Sequence, residues 1–291
     1  MNAASEPLED PDESVGSLLR LWRQRRTLTQ LELANQAEVS TRHLSFVETG
    51  RSQPSRAVLA RLSDELDLPL RERNQLLLVA GYAPEYRETP MASTRLAPAL
   101  TALRATLDAH SPYPAVLIDR HWNLIDANAA VALFLEGVAP DLLEPPANVL
   151  KLTLDPRGMA PRIPNFDEWC EHLLHRLSRQ IAVSADIELV RLQKELLEIP
   201  HRAGGTVRHR STSGVVVPLL YHTADRVLSF ISTTMVLGAP IDVTTDELAV
   251  ECFYPADTDT ADYLRQIAQV AQTAQIVQTA QSAQTVQSEG S

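Results

Sequence analysis

The chain has 291 residues, 44% of them hydrophobic and 22% charged, with a net charge of −11, and it is long enough to bury the cores of two domains. No apolar run approaches the ~18 residues that span a bilayer, and the stretch Met1 to Pro7 has neither the basic nor the apolar region of a signal peptide; a cytoplasmic location is expected. Cys170 and Cys252 lie far apart beside bulky apolar residues, which favours buried thiols over a disulfide or a metal site.

The charge is unevenly spread. Residues 14–88 carry 11 arginines against 9 acidic residues, whereas residues 1–13 hold five acids and no base. A local basic excess in an acidic chain suits a small DNA-contacting module joined to an acidic domain. Residues 1–13, with Pro7 and Pro11, are expected to form a weakly ordered acidic arm.

From Ser14 onward Val15, Leu18, Leu19 and Trp22 recur at helical spacing, with Arg20, Arg23, Arg25 and Arg26 off that face. Thr29 and Glu32 form a capping box for a second helix that turns Leu33, Ala34 and Ala37 inward. Ser40 caps a third helix, with Leu44 and Val47 inward and Thr41, Arg42, His43 and Ser45 outward, and Gly50 ends it. Ser55 caps a fourth over Val58, Leu59, Leu62 and Leu66, and Pro69 opens a fifth that stops at Gly81. The second and third helices, joined at Glu38-Val39-Ser40, read as a DNA-reading pair.

Thr29-Gln30, Leu33-Ala34, Val39-Ser40 and the run from Glu48-Thr49-Gly50-Arg51 to Pro54-Ser55 resemble the lambda repressor and Cro type of helix-turn-helix in its xenobiotic-response-element-like form, over residues 14–81. With the third helix in the major groove, Thr41, Arg42 and Ser45 face base edges, with His43 beside them. Gln30 is similar to the family residue that contacts the backbone and at times a base. Arg51 and Ser52 are suited to phosphates. Glu38 departs from the family's glycine, so either the turn takes another geometry or a left-handed residue's cost of ~1 kcal/mol is absorbed elsewhere.

Residues 82–95, with Pro84 and Pro90, read as a linker, and a helix is expected from Leu96 to His110. Ala115 to Asp119 and Trp122 to Ala127 form a predicted hairpin feeding a helix near Asn128 to Leu135, which Asn128 caps. Leu150, Leu152 and Leu154 belong to a short extended or helical piece. Phe166 to Ile181 and Asp186 to Ile199 are amphipathic helices. Val215 to Tyr221, Val227 to Val236 and Leu248 to Phe253 read as strands. From Gln266 to Gln287 glutamine recurs every third residue, out of step with a helix, which points to a frayed helical extension or disorder over residues 266–291.

Two strands, several helices and three strands suggest an antiparallel sheet closed over by helices, a PAS-like layout for residues 96–265. Ile118-Asp119-Arg120-His121-Trp122, Asp126 to Ala130, Leu154-Asp155-Pro156-Arg157 and Phe253 to Asp257 resemble the ligand-binding domain of MmyB-like transcription regulators, a family that pairs such a domain with the same helix-turn-helix. The fold class expected is therefore α+β: a five-helix lambda-repressor-like domain followed by a PAS-like domain.

The resemblance implies a sequence-specific transcription regulator with double-stranded DNA and a second copy of the chain as partners. It also implies a small apolar ligand, with a fatty acid as the candidate, and no required cofactor. Trp122, Phe134, Trp169, Leu173, Leu219, Phe230 and Ile231 would line a ligand cavity or simply form the core. Arg176, Arg179, His175 or Arg162 could receive an acid head group. His172 and His175, three apart on one helix, are better explained as surface residues than as metal ligands. Neither a Ser-His-Asp set, a phosphate-binding glycine loop nor paired acids recommend an enzyme. The competing reading is a DNA-binding protein whose second domain is only an oligomerisation platform.

Overall fold

The computed structural model describes residues 14–184, 186–199, 216–270 and 272–273. The acidic arm and the glutamine-rich tail beyond residue 273 lie outside the described residues, as does Val215. The described chain divides into two compact units, the first running to Leu96 and also holding residues 182–184 and 238–246.

Residues 15–79 of the first unit form five helices: α1 (Val15–Arg25), α2 (Gln30–Gln36), α3 (Thr41–Glu48), α4 (Arg56–Glu65) and α5 (Leu70–Val79). Ser14, Thr29, Ser40 and Ser55 occupy the N-cap positions of the first four, and each side chain accepts an amide from the first turn. Thr29 and Glu32 form the expected capping box. Pro69 caps α5 without a side-chain bond, and the Asp246 carboxylate accepts the Leu70 amide at 3.1 Å instead.

All five helices end in one way. The residue two beyond the last helical position is left-handed: Thr27, Glu38, Gly50, Asp67 and Gly81, with φ from 46° to 80°. The next amide returns to the carbonyl of the helix's antepenultimate residue in each case, as in Val39 to Ala34 at 2.9 Å and Leu68 to Ser63 at 3.0 Å. Glu38 therefore takes the conformation usually filled by glycine, at about 1 kcal/mol. The residues that follow the three non-glycine turns, Leu28, Val39 and Leu68, pack in the domain core, which offsets that cost. Leu19, Leu33, Leu44, Val47, Leu62 and Leu66 are fully buried there. Gly16 permits the close crossing of α1 on α3, because a Cβ at that position would collide with the Val47 carbonyl.

The second unit is built on a five-stranded antiparallel sheet. Its strands are β1 (Ala115–Ile118), β2 (Leu124–Ala127), β3 (Leu219–His222), β4 (Val227–Val236) and β5 (Ala249–Pro255), in the order β2-β1-β5-β4-β3. The helices are α6 (Ala97–Ala109), α7 (Ala132–Leu135), α8 (Val149–Leu154), α9 (Phe166–Ser184) and α10 (Ile187–Glu198), with a last helix over 258–270. The expected α+β organisation is present, and the short Leu150 to Leu154 piece is helical. Every residue of β1 is buried, so the sheet is covered on both faces at this strand. Val116 and Ile118 enter the main core cluster, and strand alternation sends Ala115 and Leu117 the other way.

Two expectations are corrected. The second strand begins at Leu124, because Trp122 is left-handed (φ 67°) in a turn held by Asp119. The Asp119 carboxylate accepts the amides of His121 at 2.8 Å and Asn123 at 2.9 Å. Asn128 stands at an N-cap position but makes no capping bond. Its side chain accepts the Ala115 amide at 3.1 Å and donates to the carbonyls of Leu107 and Tyr113, tying the end of α6 to the start of β1.

Candidate DNA interface and ligand cavity

On α3 the inward positions are Leu44 and Val47, both at 0% exposure, and Glu48. Helical spacing leaves Thr41, Arg42, Ser45, Phe46 and Thr49 on the opposite face. Arg42 is exposed, and Thr41, His43, Ser45 and Ser52 are half-buried. The His43 amide is held by the Ser40 cap. Arg51, exposed, follows Gly50 in a loop whose amides at Arg51 and Ser52 both donate to the Phe46 carbonyl, at 2.7 and 3.1 Å. These residues thus form one continuous edge of the unit.

Gln30 joins this edge through a buried ion pair. Glu48, with its side chain 1% exposed, receives Arg23 Nε at 2.7 Å and Nη2 at 2.9 Å. The Gln30 amide nitrogen donates to the same carboxylate at 2.7 Å. That bond with Glu48 raises the Arg23 pKa above its ordinary value in spite of burial. A bidentate pair this deep fixes α1 to α3 and sets the rotamer of Gln30 at the start of α2.

In the second unit, a cavity of about 70 Å³ lies between the sheet and α7 to α9, well above the ~10–15 Å³ that one water requires. Trp122, Phe134, Trp169, Leu173 and Leu219 line it, as expected. The remaining wall includes Val116, Ile118, Val131, Leu150, Met159 and Phe253, none of which stands out in the sequence from ordinary core. Phe230 is fully buried behind Phe134, with ring centroids 5.4 Å apart, and is not part of the lining.

Arg176 does not line the cavity either. Its guanidinium grips Glu251 at 2.7 and 2.9 Å, accompanied by the Thr234 hydroxyl, and lies 4.9 Å from the Trp122 ring centroid. Glu251, 5% exposed, is the acid in the wall. An acid in the middle of the run Ala249 to Phe253 was the one legible sign of this pair. Trp122 Nε1 donates to Gln180 at 2.8 Å, whereas the buried Trp169 Nε1 has no partner among the described residues. His172 stacks on Trp169; burial and then Arg176 push its imidazole below the ordinary value. The wall is therefore largely apolar, with Thr153 and the ion-paired Glu251 as its polar members.

The model of the MmyB-like transcription regulator ligand binding domain matches residues 100–267, more than half of the chain. The chain belongs to the MmyB-like transcription regulators. A helix-turn-helix domain matches residues 14–76. The transcriptional regulator ClgR of Mycobacterium tuberculosis, from strains CDC 1551 and H37Rv, is 36% identical over 97 residues, 33% of this chain and 81% of ClgR. The protein is thus a DNA-binding transcription regulator with an MmyB-like ligand-binding domain. Cys170 and Cys252 are both buried thiols, and burial pushes Cys170 up to about 11.

Proposed function

We propose that this regulator senses a small apolar molecule, with a fatty acid as the leading class, in the cavity between the sheet and α7 to α9, and that occupancy changes its affinity for an operator. The observation that carries the reading is the cavity itself: its lining residues are apolar or aromatic apart from Thr153 and Glu251. An apolar cavity of this kind stays dry when empty and favours an apolar guest. A long alkyl chain needs more room than 70 Å³, and Met159, unbranched and adaptable, supplies a wall that can move. Arg176 is committed to Glu251 and Arg162 to Glu136, at 3.1 Å, so the candidates left for an acid head group are the exposed Arg179 and His175 of α9, outside the cavity lining.

The DNA side of the reading places Thr41, Arg42, His43 and Ser45 at base edges and Gln30, Arg51 and Ser52 at the backbone. We read the active species as a cytoplasmic, non-catalytic homodimer on a pseudo-palindromic site. The test is native mass spectrometry of protein purified from cells, followed by extraction and identification of any adduct. A lipid-sized apolar compound, lost on filling the cavity with Val116→Phe, is expected. Protein that is empty, and whose melting temperature is unmoved by a panel of fatty acids, would instead leave the second unit as an oligomerisation platform.

A further inference from the structure

Phe46 is the odd residue of α3. Leu44 and Val47 are fully buried in the core of the first unit, yet Phe46, the largest apolar side chain of the helix, is only half-buried and absent from that core. One turn earlier, the exposed Arg42 lays its guanidinium over the Phe46 ring, 5.2 Å from the centroid. The carbonyl of Phe46 is pinned by the amides of Arg51 and Ser52, so the ring projects from a backbone position fixed against the following loop. An aromatic ring held outside the core on the DNA-facing side, under an arginine, has a chemistry of its own. It offers no hydrogen bond, and the thymine 5-methyl group is the apolar feature that the major groove presents.

We propose that Phe46 is a specificity-determining residue that reads the 5-methyl group of a thymine neighbouring a guanine read by Arg42. Residues four apart share a helix face, and the stack couples the two side chains. Arginine matches the two acceptors of guanine, and the ring edge beside it meets the methyl group of the adjacent pair. The stack also restrains the Arg42 fork before DNA arrives, lowering the entropy lost when its hydrogen bonds form. Cytosine at the same place leaves the ring against a polar amino group, so discrimination comes from apolar contact and from a lost contact together.

The inference rests on α3 facing the groove, and the experiment separates the two. Duplexes enriched from a random library by the full-length protein define the site, and each thymine is then replaced singly by uracil, which keeps base pairing and loses only the methyl group. The wild-type protein is expected to bind about fourfold more weakly at one such replacement, the equivalent of one desolvated methyl group. Phe46→Ala should bind the parent duplex more weakly and be indifferent to that replacement, while Phe46→Leu should retain part of the penalty; circular dichroism verifies the fold of each. Arg42→Ala should relax preference at the neighbouring guanine. An absence of any uracil penalty in the wild type, or a penalty that survives in Phe46→Ala, overturns the role of Phe46 even where Arg42→Ala shows that α3 reads DNA. Enrichment of no sequence at all overturns the groove-facing helix and the inference with it.

Discussion

In the first unit, the groups proposed to face DNA come from one continuous stretch, Gln30 to Ser52, which is a helix pair and the loop after it. In the second, the cavity wall is drawn from Val116 on β1 to Phe253 on β5, through three intervening helices. The first site is positioned by local devices: serine and threonine caps at one end of each helix and a left-handed turn at the other. The second is positioned by long-range pairing, β1 on β5 and β5 on β4. A reading head built locally keeps its geometry as a rigid piece. A cavity enclosed by distant elements changes shape when any of them shifts, which is the property a sensor requires.

The buried ion pair is where the first unit is most easily broken. Glu48→Ala leaves Arg23 buried with only the Leu28 carbonyl from its former partners and releases Gln30, and is expected to cost about 3–5 kcal/mol in urea unfolding. A loss under ~1 kcal/mol would show that water already reaches the pair. On the DNA side, Arg42→Ala should weaken specific binding by about 1–3 kcal/mol. Arg51→Ala should weaken binding to all sequences alike and lower the salt slope by about 1. Equal effects of the two on specificity would remove the distinction between base and phosphate contacts.

The polar ties of the second unit predict a pH dependence. Asp186 accepts His121 Nε2 at 2.9 Å and lies 3.4 Å from Arg120. Burial raises its pKa, but the His121 bond, the Glu188 amide and Arg120 outweigh burial and hold the carboxyl below its ordinary value. A depressed carboxyl contributes stability above its unfolded pKa of ~3.9 and loses it as pH falls through the folded value. Asp186→Asn should therefore destabilise by about 1–3 kcal/mol at pH 7, with the gap to wild type closing below pH ~4. A gap that stays constant down to acid unfolding would assign the role of Asp186 to shape alone.

The finest comparison lies between two tryptophans of one cavity. Trp122→Phe strips the Gln180 carbonyl of its donor and should cost about 1–3 kcal/mol. Trp169→Phe loses the same volume but removes a buried N–H with no partner among the described residues, and should therefore destabilise less than Trp122→Phe, by about 1 kcal/mol. Equal losses at the two positions would mean that the Trp169 N–H is engaged in solution.

The five helices were legible because their signals are short-range. A cap residue, an inward stripe and a stop lie within ten or so positions, and each acts through bonds made inside the same helix. Even so, only Glu38 stood out among the non-glycine left-handed turns, by its departure from the glycine of the family it resembles. Thr27 and Asp67 do the same work, and the hydrophobic residue after each turn is the signal that marks them. Phe46 lies one position before a buried valine, and it is the contacts of the fold that show its ring outside the core.

The helix-turn-helix and the α+β order of elements could be read from the chain alone, because periodicity, caps and turn chemistry are local, and the family that joins them came from the resemblance of its motifs. Which apolar residues border a void and which are plain core emerged with the fold, for Phe134 and Phe230 are indistinguishable as sequence. The tertiary structure likewise decided that Arg176 spends its charge on Glu251, 75 positions away, and that Asn128 bonds α6 and β1 rather than the turn after it. Those choices depend on which partners arrive through space, and a side chain's neighbours in the chain do not name its neighbours in the fold.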